Sequence, residues 1–173
     1  MRELRGESCL ALGESAEPKQ MIACSRSFSE RVTDLEQLRE AVASHTSRAA
    51  EKLRTQGDYC RLLQVYIRTS GFNPNEPHYG RSASVPLPCP SNDTRDLVQA
   101  ALAGLESIYR PGYRYQKAGV VLMEFVSPGQ IQGDLFAPAP RPDSEALMAT
   151  LDKINARMGR GTVRLGRVPA APD

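Results

Sequence analysis

The chain has 173 residues, of which 40% are hydrophobic and 24% charged, so whole-chain disorder is excluded and one domain with appended segments fits. No stretch of about 18 apolar residues is present to cross a membrane as a helix, and MRELRGESCL lacks the apolar run of a secretory signal. The formal net charge of +2 is too small to name a partner, so the distribution of charge has to. Cysteines at 9, 24, 60 and 89 lack C-x-x-C spacing, which points to reduced thiols in an intracellular protein.

In chain order, residues 1–18 are broken by Gly6 and Gly13 and closed by Pro18, and read as a linker. A strand is expected from Lys19 to Phe28. Thr33 and Glu36 have capping-box spacing ahead of a helix whose stripe is Leu35, Leu38, Val42, His45, Ala49 and Leu53, with Gly57 as its stop. Tyr59 to Thr69 is the clearest strand, with Leu63, Val65 and Ile67 on one face and Gln64, Tyr66 and Arg68 on the other. Arg61 falls on the apolar side of that count, so it is expected at a strand end or is misassigned by it. Prolines 74, 77, 86, 88 and 90 exclude a regular central strand over 71–90 and leave a short edge strand around Val85 and Leu87. Asp93 caps a second helix with Leu97, Val98, Ala101, Leu105, Ile108 and Tyr109 on its apolar side, stopped by Pro111-Gly112. Tyr113 to Phe125 reads as the last strand. Beyond Pro128-Gly129 a proline-rich stretch leads to an amphipathic helix, Ser144 to Met158, with stripe Leu147, Leu151, Ile154 and Met158; GRG at 159–161 reads as its stop.

This order implies an α+β fold, a four-stranded and mainly antiparallel sheet with two helices on one face. The expected division is linker 1–18, domain 19–128, flexible linker 129–142, and an extension with a short helix at 143–173. The strands hold Arg26, Arg61, Arg68, Arg114 and Lys117 with no acid before Glu124, and Arg81 lies between strands, whereas the first helix region carries Asp34, Glu36, Glu40 and Glu51. An open, positive sheet face interleaved with Tyr66 and Tyr115 would suit a phosphate backbone. Solvated strands also carry such charge for solubility, so that alternative stands beside it.

Catalytic and metal signatures are missing from the sequence. His45 lies on an apolar helix stripe, as a satisfied core histidine would, and His78 sits in a proline loop. Neither a phosphate-binding G-x-x-x-x-G-K-[ST] nor a G-x-S-x-G nucleophile elbow occurs.

The blocks PKQMIACSRSFSE, RAAEKLR, YCRLLQVYIRTS, NEPHYGRSASV and YQKAGVVLMEF, in that order, resemble the C-terminal part of UmuC-type translesion DNA polymerases, the Y-family catalytic subunits of DNA polymerase V. ELRGESCLAL resembles the segment joining that family's thumb to its little finger, and RPDSEALMATLDKINARMGRGTVRLG resembles its C-terminal extension. The resemblance implies a little-finger domain whose open face grips primer and template backbones. On it, Ser25, Arg26 and Ser27, in the family's first-strand contact block, join Tyr66, Arg68, Arg114 and Lys117 as expected DNA-binding residues. It also implies that the magnesium-holding palm lies upstream, so no polymerase activity and no cofactor are expected of this chain, which reads as a fragment. Ser29 stands where relatives usually have Gly, and the tail ends at Asp173 without the family's basic end.

QGDLF resembles the peptide that bacterial polymerases insert into the sliding clamp, with Gln132, Leu135 and Phe136 as clamp-binding residues and Gly133 in place of the usual Leu. Phe136 folding back onto the domain is the alternative. Further partners implied by the resemblance are a UmuD-type subunit and a recombinase filament, in the bacterial cytoplasm at the nucleoid, during the SOS response to DNA damage. Two other readings stay open at this point: an RNA-binding module of ferredoxin-like shape, and a protein-interaction module without useful DNA affinity.

Overall fold

The computed structural model describes residues 19–130, 141–166 and 168. Its elements are β1 (Ile22–Val32), α1 (Leu35–Gln56), β2 (Tyr59–Thr69), β3 (Gly80–Ser91), α2 (Thr94–Ile108), β4 (Tyr115–Val126) and α3 (Ser144–Met158). The sheet order is β1-β4-β2-β3 with every neighbouring pair antiparallel. α1 and α2 therefore each join two strands that have a third between them: β4 separates β1 from β2, and β2 separates β3 from β4. These two helices pack on one face of the sheet, α1 over β1 and β4 and α2 over β2 and β3. The expected α+β architecture is the one observed.

Leu63, Val65 and Ile67 of β2 and Ala118, Val120 and Leu122 of β4 meet Leu38, Val42, Leu97 and Leu105 from the helices, all at most 1% exposed. The α2 backbone comes close to the sheet at Gly104, where a Cβ would stand 2.7 Å from Val65 Cγ1 and 2.9 Å from Val85 Cγ2. Glycine is required there by space rather than by backbone angle.

Several boundaries differ from expectation for identifiable reasons. The α1 cap is Asp34, whose carboxylate accepts the Gln37 N–H at 3.1 Å, and not Thr33; Asp is the stronger capping residue of the two. Gly57 ends α1 at φ 84, where its N–H reaches the carbonyls of Arg54 and Leu53. β1 begins at Ile22 and runs to Val32 across an irregularity between Ser27 and Val32, so it takes in Glu30, and the strand set is not free of acid before Glu124. β3 is twelve residues long rather than a short fragment. It lies at the sheet edge, where one side of the strand needs no ladder partner and prolines are tolerated.

Arg61 is exposed because the β2–β3 register slips between Cys60 and Leu62, and its β4 neighbour Glu124 takes φ 54. The break also buries Cys60, and burial pushes its thiol up to about 11 while it donates to the Leu62 and Met123 carbonyls.

Two core residues depart from expectation. Tyr115 is fully buried, not on the open face. The β2–β4 register shifts between Arg68 and Thr69, so Tyr115 pairs with buried Thr69 and turns inward among Tyr79, Tyr109 and Tyr113. Its hydroxyl donates to the Arg110 carbonyl at 2.9 Å and accepts from the Arg110 N–H at 3.0 Å. His45 is in the core as expected but is not satisfied, since its Nε2 is buried without a hydrogen-bond partner. Burial first, then the charges of Arg48 and Arg26, hold its pKa below the usual imidazole value.

The third helix has the expected extent but a different buried face. Met148 is 1% exposed, while Leu147 and Met158 of the expected stripe are 46% and 69% exposed. Polar links set its rotation: the Arg54 guanidinium donates to both Asp152 carboxylate oxygens at 2.6 and 2.8 Å, Tyr59 donates to Glu145, and Ser144 to Asp93. Asp152 and Met148 are one turn apart and so face inward together. Gly159 ends α3, as the GRG reading expects.

Candidate nucleic-acid interface

Alternation along the paired strands sorts side chains between the helix-covered face and the open one. Three rows cross the open face. Ser27, Lys117, Arg68 and Gly80 form the first; Ser25, Gly119, Tyr66 and Ser82 the second; Ala23, Val121, Gln64 and Ser84 the third. None of the twelve residues is acidic. Most are small, and they leave a low platform of hydroxyls and backbone from which Tyr66, Arg68 and Lys117 stand up.

Gly119 shapes that platform. A Cβ at this position would lie 2.4 Å from Ser25 Cβ and 2.7 Å from Tyr66 Cζ and Oη, so the tyrosine ring occupies the space above the glycine. Gln64 donates to Ser84 Oγ at 3.3 Å in the third row. In the first row Arg68 stands directly across from Lys117. Like charges at opposed positions destabilise a sheet, and neither side chain has a carboxylate partner among the described residues. An anion laid along this row removes that repulsion.

The structure brings Ser25, Ser27, Tyr66, Arg68 and Lys117 together on one surface. Arg26 does not join them: it pairs with core-side Ala118 and so points to the helix-covered side of β1, exposed because β1 is an edge strand. The SRSF block thus alternates, with both serines on the open face and Phe28 packed against the core. Arg114 precedes β4 and is tied to Glu76 at 3.1 Å, a carboxylate that Arg31 also reaches at 3.4 Å. Gln132, Leu135 and Phe136 lie outside the described residues. Ser82, Ser84 and Gly119 also lie on this face, beyond the residues that the sequence points to. Their signal was the alternation S-A-S-V at 82–85, obscured by the prolines that follow, and a glycine inside an otherwise continuous strand pattern.

A family model described as the impB/mucB/samB family C-terminal domain matches residues 19–135, and a domain of unknown function (DUF4113) matches residues 145–171. The protein UmuC of Salmonella typhimurium (strain LT2) is 54% identical over 164 residues, covering 94% of this chain and 39% of that protein. The protein ImpB of Salmonella typhimurium is 46% identical over 174 residues, covering 100% of this chain and 41% of its own. The Escherichia coli protein MucB is 46% identical over 158 residues, 91% of this chain and 37% of its own. The chain therefore spans about two-fifths of the length of these relatives. A solved insertion ternary complex of Dbh DNA polymerase shares the fold, with a TM-score of 0.50 at 13% identity over 66% of this chain and 31% of that one.

Proposed function

Because the chain belongs to the impB/mucB/samB family through its C-terminal domain, we propose that it is the non-catalytic, DNA-gripping region of a UmuC-type translesion DNA polymerase acting in the SOS response. The observation that carries this reading is the unneutralised Arg68–Lys117 pair on an acid-free platform of small residues. Such a surface contacts backbone without reading bases, as a polymerase that must pass varied templates requires.

Backbone binding releases counterions, so affinity for a duplex should fall steeply with salt. Replacing Arg68 and Lys117 by Ala should weaken duplex binding and make the log–log salt slope shallower by about two, one per lost contact. Anisotropy titrations over a range of salt concentrations measure both, and an unchanged slope would reduce the face to a solvated one. The RNA-binding alternative is less well supported, since Tyr66 is the one aromatic on the three rows and bases need stacking partners.

The clamp contact remains a proposal from sequence. Gln132, Leu135 and Phe136 in QGDLF would seat two apolar side chains, each worth about 1.5–3 kcal/mol when buried. Replacing Leu135 and Phe136 by Ala should abolish binding to a bacterial sliding clamp and leave the melting temperature of the domain unchanged. A large stability loss would mean instead that the pair packs on the domain. UmuD-type and recombinase partners, and an upstream magnesium-dependent palm that would supply catalysis, are proposed on the resemblance to the family alone.

A further inference from the structure

A second cationic surface lies on the helix-covered side of the molecule. α1 and the turn that follows α3 enclose a cleft of about 580 Å³. Arg48 lines it from α1, Arg160 and Arg164 from the far wall, and Arg26 from the edge strand, all four exposed. The carboxylates at hand are occupied: Glu51 pairs with Arg160 at 3.2 Å, and Asp152 holds Arg54. Among the described residues Arg26, Arg48 and Arg164 have no carboxylate partner, and Arg164 makes one long contact, 3.4 Å to the Gly161 carbonyl. Two of these guanidiniums also lie close enough to buried His45 to disfavour its protonation, so they crowd one region of α1 and β1.

We propose that this cleft binds the sugar–phosphate backbone of single-stranded DNA, and that the C-terminal extension, which matches a domain of unknown function, serves to complete it. Continuity favours nucleic acid over an acidic protein segment. Ser25 and Ser27 face the open side of β1 and Arg26 between them faces the cleft, so a single edge strand separates the two surfaces. That continuity counts for nucleic acid because the open face is itself proposed to hold DNA. A duplex, with a persistence length of about 50 nm, cannot turn that edge, whereas a single strand can. Arg presents a planar fork of donors suited to phosphate oxygens, and Leu151 and Val163 offer apolar surface to unpaired bases.

The test uses the full 173-residue chain, a fluorescent oligothymidylate and a fluorescent blunt duplex. Substituting the two exposed arginines that have no carboxylate partner and stand on opposite walls, Arg48→Ala with Arg164→Ala, should weaken oligothymidylate binding by roughly an order of magnitude and make its salt slope shallower by about 1.4, at 0.7 per lost contact. Duplex binding should not change, and lysine at both positions should restore most of the single-strand affinity. Unchanged oligothymidylate affinity and slope would overturn the proposal. So would tighter binding of a labelled polyglutamate that the same substitutions abolish, which would assign the cleft to an acidic protein segment. Loss of duplex binding in the Arg68 and Lys117 variant reports on the open face separately, so either surface can fail without the other.

Discussion

Tyr66 lies across the sheet because position 119 carries no side chain. A methyl group there meets Ser25 Cβ, which is fixed by the β1–β4 pairing, as well as the tyrosine ring. Unlike a clash with a long flexible side chain, this one requires the strands to separate or Tyr66 to leave the platform. Gly119→Ala should therefore cost about 1–3 kcal/mol, the usual range for overpacking. Urea denaturation followed by circular dichroism measures it, and a variant as stable as the parent would show that the ring can move aside freely. The same residue-scale reasoning explains why Tyr115 is read wrongly from alternation: one skipped position opposite Thr69 reverses its direction, and nothing in the local sequence announces the skip.

At the scale of elements, α3 is the informative case. Its limits follow from the sequence because apolar spacing and GRG mark both ends, but its rotation follows from partners up to 98 residues away, Arg54 for Asp152 above all. That guanidinium also donates to the Asn92 carbonyl and Thr94 Oγ1, so it joins α1, the start of α2 and α3. Burial of Met148 on the same side leads to a discriminating outcome. Met148→Ala should loosen α3 by about 2–3 kcal/mol, while Leu147→Ala should stay within about 0.5 kcal/mol. Hydrogen exchange of the α3 amides reads this directly, with the sheet unaffected in both variants. Equal effects would mean that the helix is not docked by this face.

For the whole molecule, the sheet order matters most. With β4 and β2 at the centre, the two opposed cations stand mid-sheet, and β1 is left at the edge between the open face and the arginine cleft. Two DNA-holding surfaces on one chain, as proposed above, would convert the second contact into an intramolecular one. A primer–template with a single-stranded 5′ overhang should accordingly bind more tightly than a blunt duplex of the same paired length. The advantage should vanish, leaving both DNAs with equal affinity, when Arg48 and Arg164 are replaced by Ala. Competition titrations with the two DNAs measure the ratio, and a ratio of one in the parent chain would show that the surfaces do not act together.

Local sequence does not give the length of β3 or the capping residue of α1, but it is enough to place the elements in order, the stops of α1 and α3 and the core stripes of α1, α2 and β2. These depend on contacts a few residues apart: periodicity, caps, and glycine or proline punctuation. It also determined the family, through ordered blocks spread along the chain. Which strands are neighbours is settled by tertiary pairing alone, and with that Arg68 against Lys117, Ser82 beside Tyr66, and Arg26 on the far side of β1 from Ser25. Register is a property of strand pairs. A single irregularity, such as those at Cys60–Leu62 and Arg68–Thr69, exchanges the two faces for every residue beyond it, because side chains alternate with a period of two.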